Sequence, residues 1–242
     1  MRVLVVGSSG TFPVPGRPAS GYVVEQGSTR VWCDAGPGTF MSLPMDSDLI
    51  DAVVISHQHP DHCSDLMAAF HAWTYRPDPR DPVPLYAPGV VWDRLTGFLG
   101  QEPGCFDFTA VGSGSSVTIG GLSVAFVEMD HSVPTVGSRW EANGRTFFFT
   151  GDTGPRGEWQ DLARGVDVLV SEASYQDATA DADYPHHLTS SEAGTIARSL
   201  EVGELVLTHI PPYLDPSVSV AEAEKTFGRP VRLAVPGTGF DV

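Results

Sequence analysis

The sequence predicts an α+β chain, a four-layer αββα sandwich in which two mostly β layers are covered by outer helices. Two observations carry that prediction. Short apolar runs alternate with glycine-rich turns through the first third of the chain, the pattern of strands joined by tight connections. Segments with helical spacing then fall between groups of strands.

Taken in order, Arg2–Val6, Gly21–Glu25 and Arg30–Cys33 read as strands, with Gln26-Gly27-Ser28 as a hairpin turn between the last two. Ala52–Ser56 is a buried-type strand that ends directly at His57. Ser64–Tyr75 places Leu66, Met67, Phe70 and Trp73 at helical spacing, so a helix with one core-facing side follows. The strand Val83–Tyr86, a helix near Val90–Leu99, and the strands Asp107–Val111, Ser116–Ile119 and Leu122–Met129 come next. Val136–Glu141 and Arg145–Thr150 flank Ala142-Asn143-Gly144, a hairpin turn. Val168–Val170 and Leu205–Thr208 are further buried strands. Between them, Thr189 and Glu192 form a capping box for a helix whose inner face is Ala193, Ile196, Ala197 and Leu200. Ser219 and Glu222 predict a second box before a short helix ending near Gly228.

Bulk composition narrows the function. Of 242 residues, 41% are apolar, enough for a sizeable core, and no linker-like tract divides them, so residues 1–242 are expected to form one domain. Lys and Arg total 14 against 30 Asp and Glu, a formal net charge of −16. Such a surface repels phosphate backbones, and the basic residues are scattered, which disfavours extended nucleic acid as a partner. The odd trio Cys33, Cys63 and Cys105 lacks any CxxC pair, so a disulfide framework is not expected. The start, MRVLVVGSSG, reads as a strand and a turn, not a signal peptide, and no run approaches the ~18 apolar residues that span a membrane. A cytoplasmic protein is expected.

The chemistry is concentrated in His57-Gln58-His59-Pro60-Asp61-His62. Histidines two apart in extended backbone point the same way, so His57 and His59 can share one metal. Pro60 stiffens the turn, and Asp61 and His62 follow where a helix begins, aimed at a second point. Imidazole with carboxylate suits zinc, and also manganese or iron.

That HxHxDH stretch resembles the signature of the metallo-β-lactamase superfamily, matching all four of its fixed positions. The family pattern continues with a lone His, an Asp and a final His, each at a strand end. His131, Asp152 and His209 stand in that order here. The resemblance spans nearly the whole chain and implies the same αββα sandwich. It implies one metal on His57, His59 and His131, a second on Asp61, His62 and His209, and Asp152 between them. Two divalent ions held so close activate water and stabilise the attacking and leaving oxygens of a displacement. Asp61 is also a candidate general base.

Fold and metals do not choose a substrate. Position 59 is His, unlike the HxExD of the di-iron flavoproteins, and Asp152 is present, unlike most true lactamases. Glu172, after a strand, and His187 in His187-Leu188-Thr189 resemble the Glu and HxT region of the RNase Z group and its smaller phosphodiesterase relatives. There the His contacts phosphate or protonates the leaving group, and the Glu orients it. Gly7-Ser8-Ser9-Gly10-Thr11 is similar to that group's glycine-rich loop. The RNA-processing members also carry a PxKxRN-like loop. Pro15-Gly16-Arg17-Pro18-Ala19-Ser20 lacks its Lys and Asn, and no long basic arm is present. The resemblance therefore implies a phosphodiesterase for a small molecule such as a cyclic nucleotide. A thioesterase or lactonase, a tRNA 3′-processing endonuclease, and a non-catalytic metal-stabilised binding module are the alternatives. Superfamily relatives often form homodimers, for which the sequence shows no interface. His71 is expected to pack on its helix, Cys63 to be small and buried, and His186 and Arg17 to be ordinary surface groups.

Overall fold

A computed structural model describes residues 1–78 and 80–242. It has two seven-stranded sheets. The first is built from β1 (Arg2–Gly7), β2 (Gly21–Gln26), β3 (Thr29–Cys33), β4 (Ala52–Val54), β5 (Val83–Ala87) and β6 (Phe106–Ala110). The second takes β7 (Ser116–Ile119), β8 (Leu122–Glu128), β9 (Val136–Ala142), β10 (Arg145–Phe149), β11 (Val168–Glu172), β12 (Glu204–Thr208) and β13 (Arg232–Leu233). The last strand, β14 (Gly239–Asp241), returns to the first sheet beside β1. The helices are α1 (Pro60–Cys63), α2 (Leu66–Thr74), α3 (Gly89–Leu99), α4 (Trp159–Ala163), α5 (Ser190–Ser199) and α6 (Pro216–Phe227).

Both sheets are half antiparallel and half parallel. The strands β1, β2, β3 and β14 pair antiparallel, and β3 through β6 run parallel. The strands β7 through β10 pair antiparallel, and β10 through β13 run parallel. Parallel strands need crossovers, and the crossovers are where the helices lie. The hairpins use turns that glycine and asparagine permit. Asn143 and Gly144 both have positive φ, 52° and 73°, as the two-residue turn between β9 and β10 requires.

Strand alternation sorts the side chains into layers. Val3 and Val5 of β1, Phe147 and Phe149 of β10 and Val206 of β12 point between the sheets, joined there by Tyr22 and Trp140. Their neighbours point outward. Val6, Val23 and Trp32 meet α2 and α3 through Leu66, Phe70, Trp73 and Leu95. Phe148, Leu205 and Leu207 meet α4, α5 and α6 through Trp159, Ala193, Ile196, Ala197 and Phe227. The αββα sandwich is thus set by two periods of burial, two in strands and 3.6 in helices.

Local differences from expectation have physical causes. Pairing in β4 stops at Val54, because the Ser56 amide donates to the Asp34 carboxylate at 2.8 Å and not to a strand. The final helix does not begin at a Ser219–Glu222 box. Asp215 caps it by accepting from the Ser217 amide, and Pro216 opens it. Proline at the first helical position is the stronger start signal, and Ser219 lies buried inside the helix. The helix after the histidine loop begins at Leu66, not Ser64, and His71 on it, though exposed, packs edge-on against Phe70 at 5.2 Å and beside Tyr75 at 5.5 Å. The strands β13 and β14 and the helix α4 carry too little sequence signal to be anticipated. No helix among the described residues is long and apolar enough to cross a membrane.

Candidate metal centre

The strand ends bring the predicted residues to one edge of the sandwich. His57, His59, Asp61 and His62 lie on the segment from β4 into α1. His131 lies between β8 and β9, Asp152 follows β10, Glu172 ends β11, and His209 follows β12. Two backbone positions are held in the left-handed region to do this. His209 has φ of 55°, and Gly151, directly before Asp152, has φ of 58°. A Cβ on Gly151 would lie 2.8 Å from the Ser56 Cβ, so the approach of the Asp152 loop requires glycine.

The donor atoms form two groups that share Asp152. In the first, His59 Nδ1 stands 3.1 Å from both His57 Nε2 and His131 Nε2. Asp152 Oδ2 is 3.7 Å from His57 Nε2. In the second, His62 Nε2 is 3.1 Å from His209 Nε2, and Asp61 Oδ2 is 3.2 Å from His209 Nε2. Asp152 Oδ1 is 3.2 Å from His62 Nε2 and 3.5 Å from His209 Nε2. Each carboxylate oxygen of Asp152 therefore faces a different group. Donor atoms lie within 4.8 Å of one another in His57, His59, His131 and Asp152, in Asp61, His62 and His209, and in Asp152, His187 and His209.

The opposite ring nitrogens are already engaged. Ser56 Oγ donates to Asp34 Oδ2 at 3.0 Å and can accept from His57 Nδ1 at 3.0 Å. His62 Nδ1 donates to Asp34 Oδ2 at 2.7 Å. His131 Nδ1 donates to the His186 carbonyl at 2.9 Å. Ser174 Oγ donates to Glu172 Oε2 at 2.6 Å and accepts from His209 Nδ1 at 2.9 Å. These contacts hold the ring protons of His57, His131 and His209 outside and turn their Nε2 lone pairs inward. Such partners are what orient metal-binding histidines. Asp152 Oδ1 is buried and has no hydrogen-bond partner, an expensive arrangement for a carboxylate without a cation. The donor set fits divalent metal ions.

Electrostatics agree with that fit. Burial, then the neighbouring imidazoles, hold His57 well below the usual histidine range, and burial also lowers His59 and His131, so these rings are neutral donors. Burial opposes ionisation of Asp152 and Asp61, but His62 and His209 outweigh it and keep both carboxylates charged. Burial likewise disfavours charge on His62, yet Asp152, Asp34 and Asp61 together raise it well above the usual value.

His187 reaches the same place from the long loop after β11. A bridge between Tyr175 and Thr189 closes that loop, and the Tyr175 amide donates to the Leu188 carbonyl at 3.1 Å. His187 Nδ1 then donates to Glu172 Oε1 at 2.9 Å and lies 3.9 Å from Asp152 Oδ2. Glu172 is fully buried and also accepts from the Thr153 and Ser174 amides. Burial lowers the His187 pKa, but the Glu172 charge and hydrogen bond outweigh it, and the ring is pushed up to about 9.

All nine predicted residues thus meet at one edge. Sequence reasoning missed Asp34, Ser56 and Ser174, which hold the rings from behind. Their only signal was a polar side chain at a strand end, which occurs at many exposed turns as well. Asp34 is buried with φ of 57°, and such strain is invisible in sequence. Cys63 is half-buried, and burial pushes its thiol up to about 11. His186 takes part through its backbone carbonyl.

A model of the β-lactamase superfamily domain matches residues 29–210, the stretch that holds all nine. The chain belongs to that family. The superfamily's relatives include the uncharacterised protein Rv1339 of Mycobacterium tuberculosis, 34% identical over 255 residues that cover 100% of this chain and 92% of the relative. A probable metallo-hydrolase of Bacillus subtilis, YhfI, is 27% identical over 245 residues and covers 98% of each chain. The crystal structure of YhfI, a metallo-β-lactamase fold protein, matches with a TM-score of 0.90 at 25% identity over 99% of both chains. A ribonuclease Z of Methanopyrus kandleri is 28% identical over 264 residues, covering 94% of this chain and 92% of the relative. Membership places this protein in a metallo-hydrolase superfamily and leaves its reaction and substrate to the site.

Proposed function

We propose that the protein is a dinuclear metal-dependent phosphodiesterase acting on a small phosphodiester such as a cyclic nucleotide. His57, His59 and His131 would hold one ion and Asp61, His62 and His209 the other, with Asp152 available to either. Zinc fits the imidazole-rich set best. When bound, two such ions lower the pKa of water and stabilise charge on the oxygens of a displacement.

The observation that carries the substrate class is the His187–Glu172 pair. A thioester or lactone offers a planar carbonyl and needs no second cation at the edge of the site. A phosphodiester carries a fixed negative charge and an alkoxide leaving group. His187, kept protonated by Glu172 at 2.9 Å, can meet either need from its Nε2 side. Asp61, at the half-buried edge of the cluster, would accept the proton of the attacking water. Glu172 holds the imidazole plane, and Ser174 ties that carboxylate to His209, so the proton donor and the metal cluster move as one unit. The ribonuclease Z relative supports phosphodiester chemistry, and the net charge of −16 argues for a small substrate over RNA.

The test is turnover of bis-p-nitrophenyl phosphate by metal-free protein and by protein reloaded with zinc or manganese. Metal-restored hydrolysis is expected. A loaded protein silent on this diester but active on a thioester or lactone would sink the phosphodiesterase reading.

A further inference from the structure

Two exposed aromatic rings that no core uses lie in the loops that follow β1 and β12. Phe12 and Tyr213 are 43% and 70% exposed, yet their rings face each other with centroids 6.5 Å apart and planes at 25°. Large exposed aromatics contribute little to folding, and a stacked pair of them on one rim is a binding feature. The two come from different loops. Phe12 follows β1, and Tyr213 follows β12, just beyond His209. Those loops are fastened to each other at the centre. Ser9 bridges Ile210, and the Gly10 amide donates to the Ile210 carbonyl at 3.2 Å. A Cβ on Gly10 would lie 2.3 Å from the His209 carbonyl oxygen, so the first loop lies directly on the backbone of a centre residue.

Further aromatic rings surround His187. Tyr175 meets it edge-on, with ring centroids 5.9 Å apart. Tyr184 also packs on His187 at 5.9 Å and donates to Ser132 Oγ at 2.9 Å. Arg17, in the first loop, donates to the Ile210 carbonyl at 3.4 Å. Flat π-faces on loops fastened to the His209 segment match a planar base better than an aliphatic chain.

We propose that Phe12 and Tyr213 form a stacking platform for the planar base of a nucleotide whose phosphodiester lies at the histidine cluster. This rests on the phosphodiesterase reading and adds the residues that select the substrate. The two rings are already in contact, so the base stacks on the open face of Tyr213 and Phe12 braces that ring from behind. Stacking on an aromatic side chain tolerates any base, so the platform selects for a base being present over which base it is.

The experiment compares a cyclic nucleotide with the same cyclic sugar phosphate lacking its base, using zinc-loaded full-length protein. Wild type is expected to show the lower KM for the nucleotide. Y213A should raise that KM about tenfold and move the base-free KM far less, while Y213F, which keeps the ring, restores the preference. F98A removes an aromatic of α3 that is 72% exposed and should alter neither constant. Equal KM values in the wild type, or a nucleotide KM untouched by Y213A, would overturn the platform and leave the phosphodiesterase reading standing. Hydrolysis of neither phosphate by loaded protein that cleaves a thioester would overturn both.

Discussion

At the scale of single residues, the inward-facing nitrogens of His57, His62, His131 and His209 are chosen by a partner on the far side of the ring. Asp34 does this for His62 directly and for His57 through Ser56. Asp34→Asn keeps the shape and removes the charge. It should weaken metal binding by about 10- to 100-fold, measured by calorimetric titration of metal-free protein, and an unchanged affinity would show that the ring orientations are set elsewhere. His187 is the second case. His187→Ala should cut phosphodiester turnover by about 100-fold or more with metal content intact. The sign of its pH dependence follows from its partner. A proton donor works while protonated, so activity falls as pH rises through its pKa, which Glu172 sets near 9. Glu172→Gln removes the stabilising charge, and the alkaline limb of kcat should move to lower pH. A limb that stays in place would mean that another group donates the proton. The nine residues were legible because their chemistry is unusual for a loop and recurs in a fixed order. Asp34, Ser56 and Ser174 were not, because an exposed turn and a buried relay use the same side chains.

At the scale of elements, local signals worked where one strong interaction decides a boundary. Thr189 accepts from the Glu192 amide at 3.1 Å, and Glu192 accepts from the Thr189 amide at 2.8 Å, the two halves of a capping box. Thr189→Ala should cost about 1 kcal/mol of stability in urea titration. Thr189 also anchors the loop that carries His187, through its bridge to Tyr175, so the variant should lose turnover beyond its loss of folded protein. Stability equal to wild type would show that α5 is held by packing alone. Where two signals competed, the weaker one misled. Ser219 and Glu222 have box spacing, but Asp215-Pro216 lies upstream and starts α6 first. Short strands such as β13, with two residues, have no period to read and exist because β12 offers them an edge.

At the scale of the whole molecule, the centre draws ligands from both halves. His57, His59, Asp61 and His62 come from the first sheet's β4–α1 connection, while His131, Asp152 and His209 come from the second sheet. Metal binding therefore requires the two sheets to be packed, and an unfolded chain offers no comparable site. Ligand binding to the folded state alone adds stability by mass action, about 4 kcal/mol at a thousand times Kd. Chelation should lower the Tm by about 10 °C, and zinc should restore it, as read by calorimetry. A Tm indifferent to chelation, in protein shown to have lost its metal, would mean the sheets are locked together without it.

From the sequence alone, apolar periodicity suggested the layers by stating which face of each strand and helix must leave water, and the resemblance carried by the histidine motif made the αββα sandwich the expected fold. It also pointed to metal chemistry, because three imidazoles and a carboxylate beside a stiff turn have few other uses. Tertiary structure decided what these residues share. Asp152 lies 90 or more positions from His57 and His59 in sequence, yet its two oxygens face two separate groups. Glu172, Ser174, His187 and His209 become one relay only when the loop after β11 closes. Phe12 and Tyr213, from opposite ends of the chain, carry no sequence signal that they meet. Such distances are set by how two sheets pack, and packing depends on all the side chains between them at once.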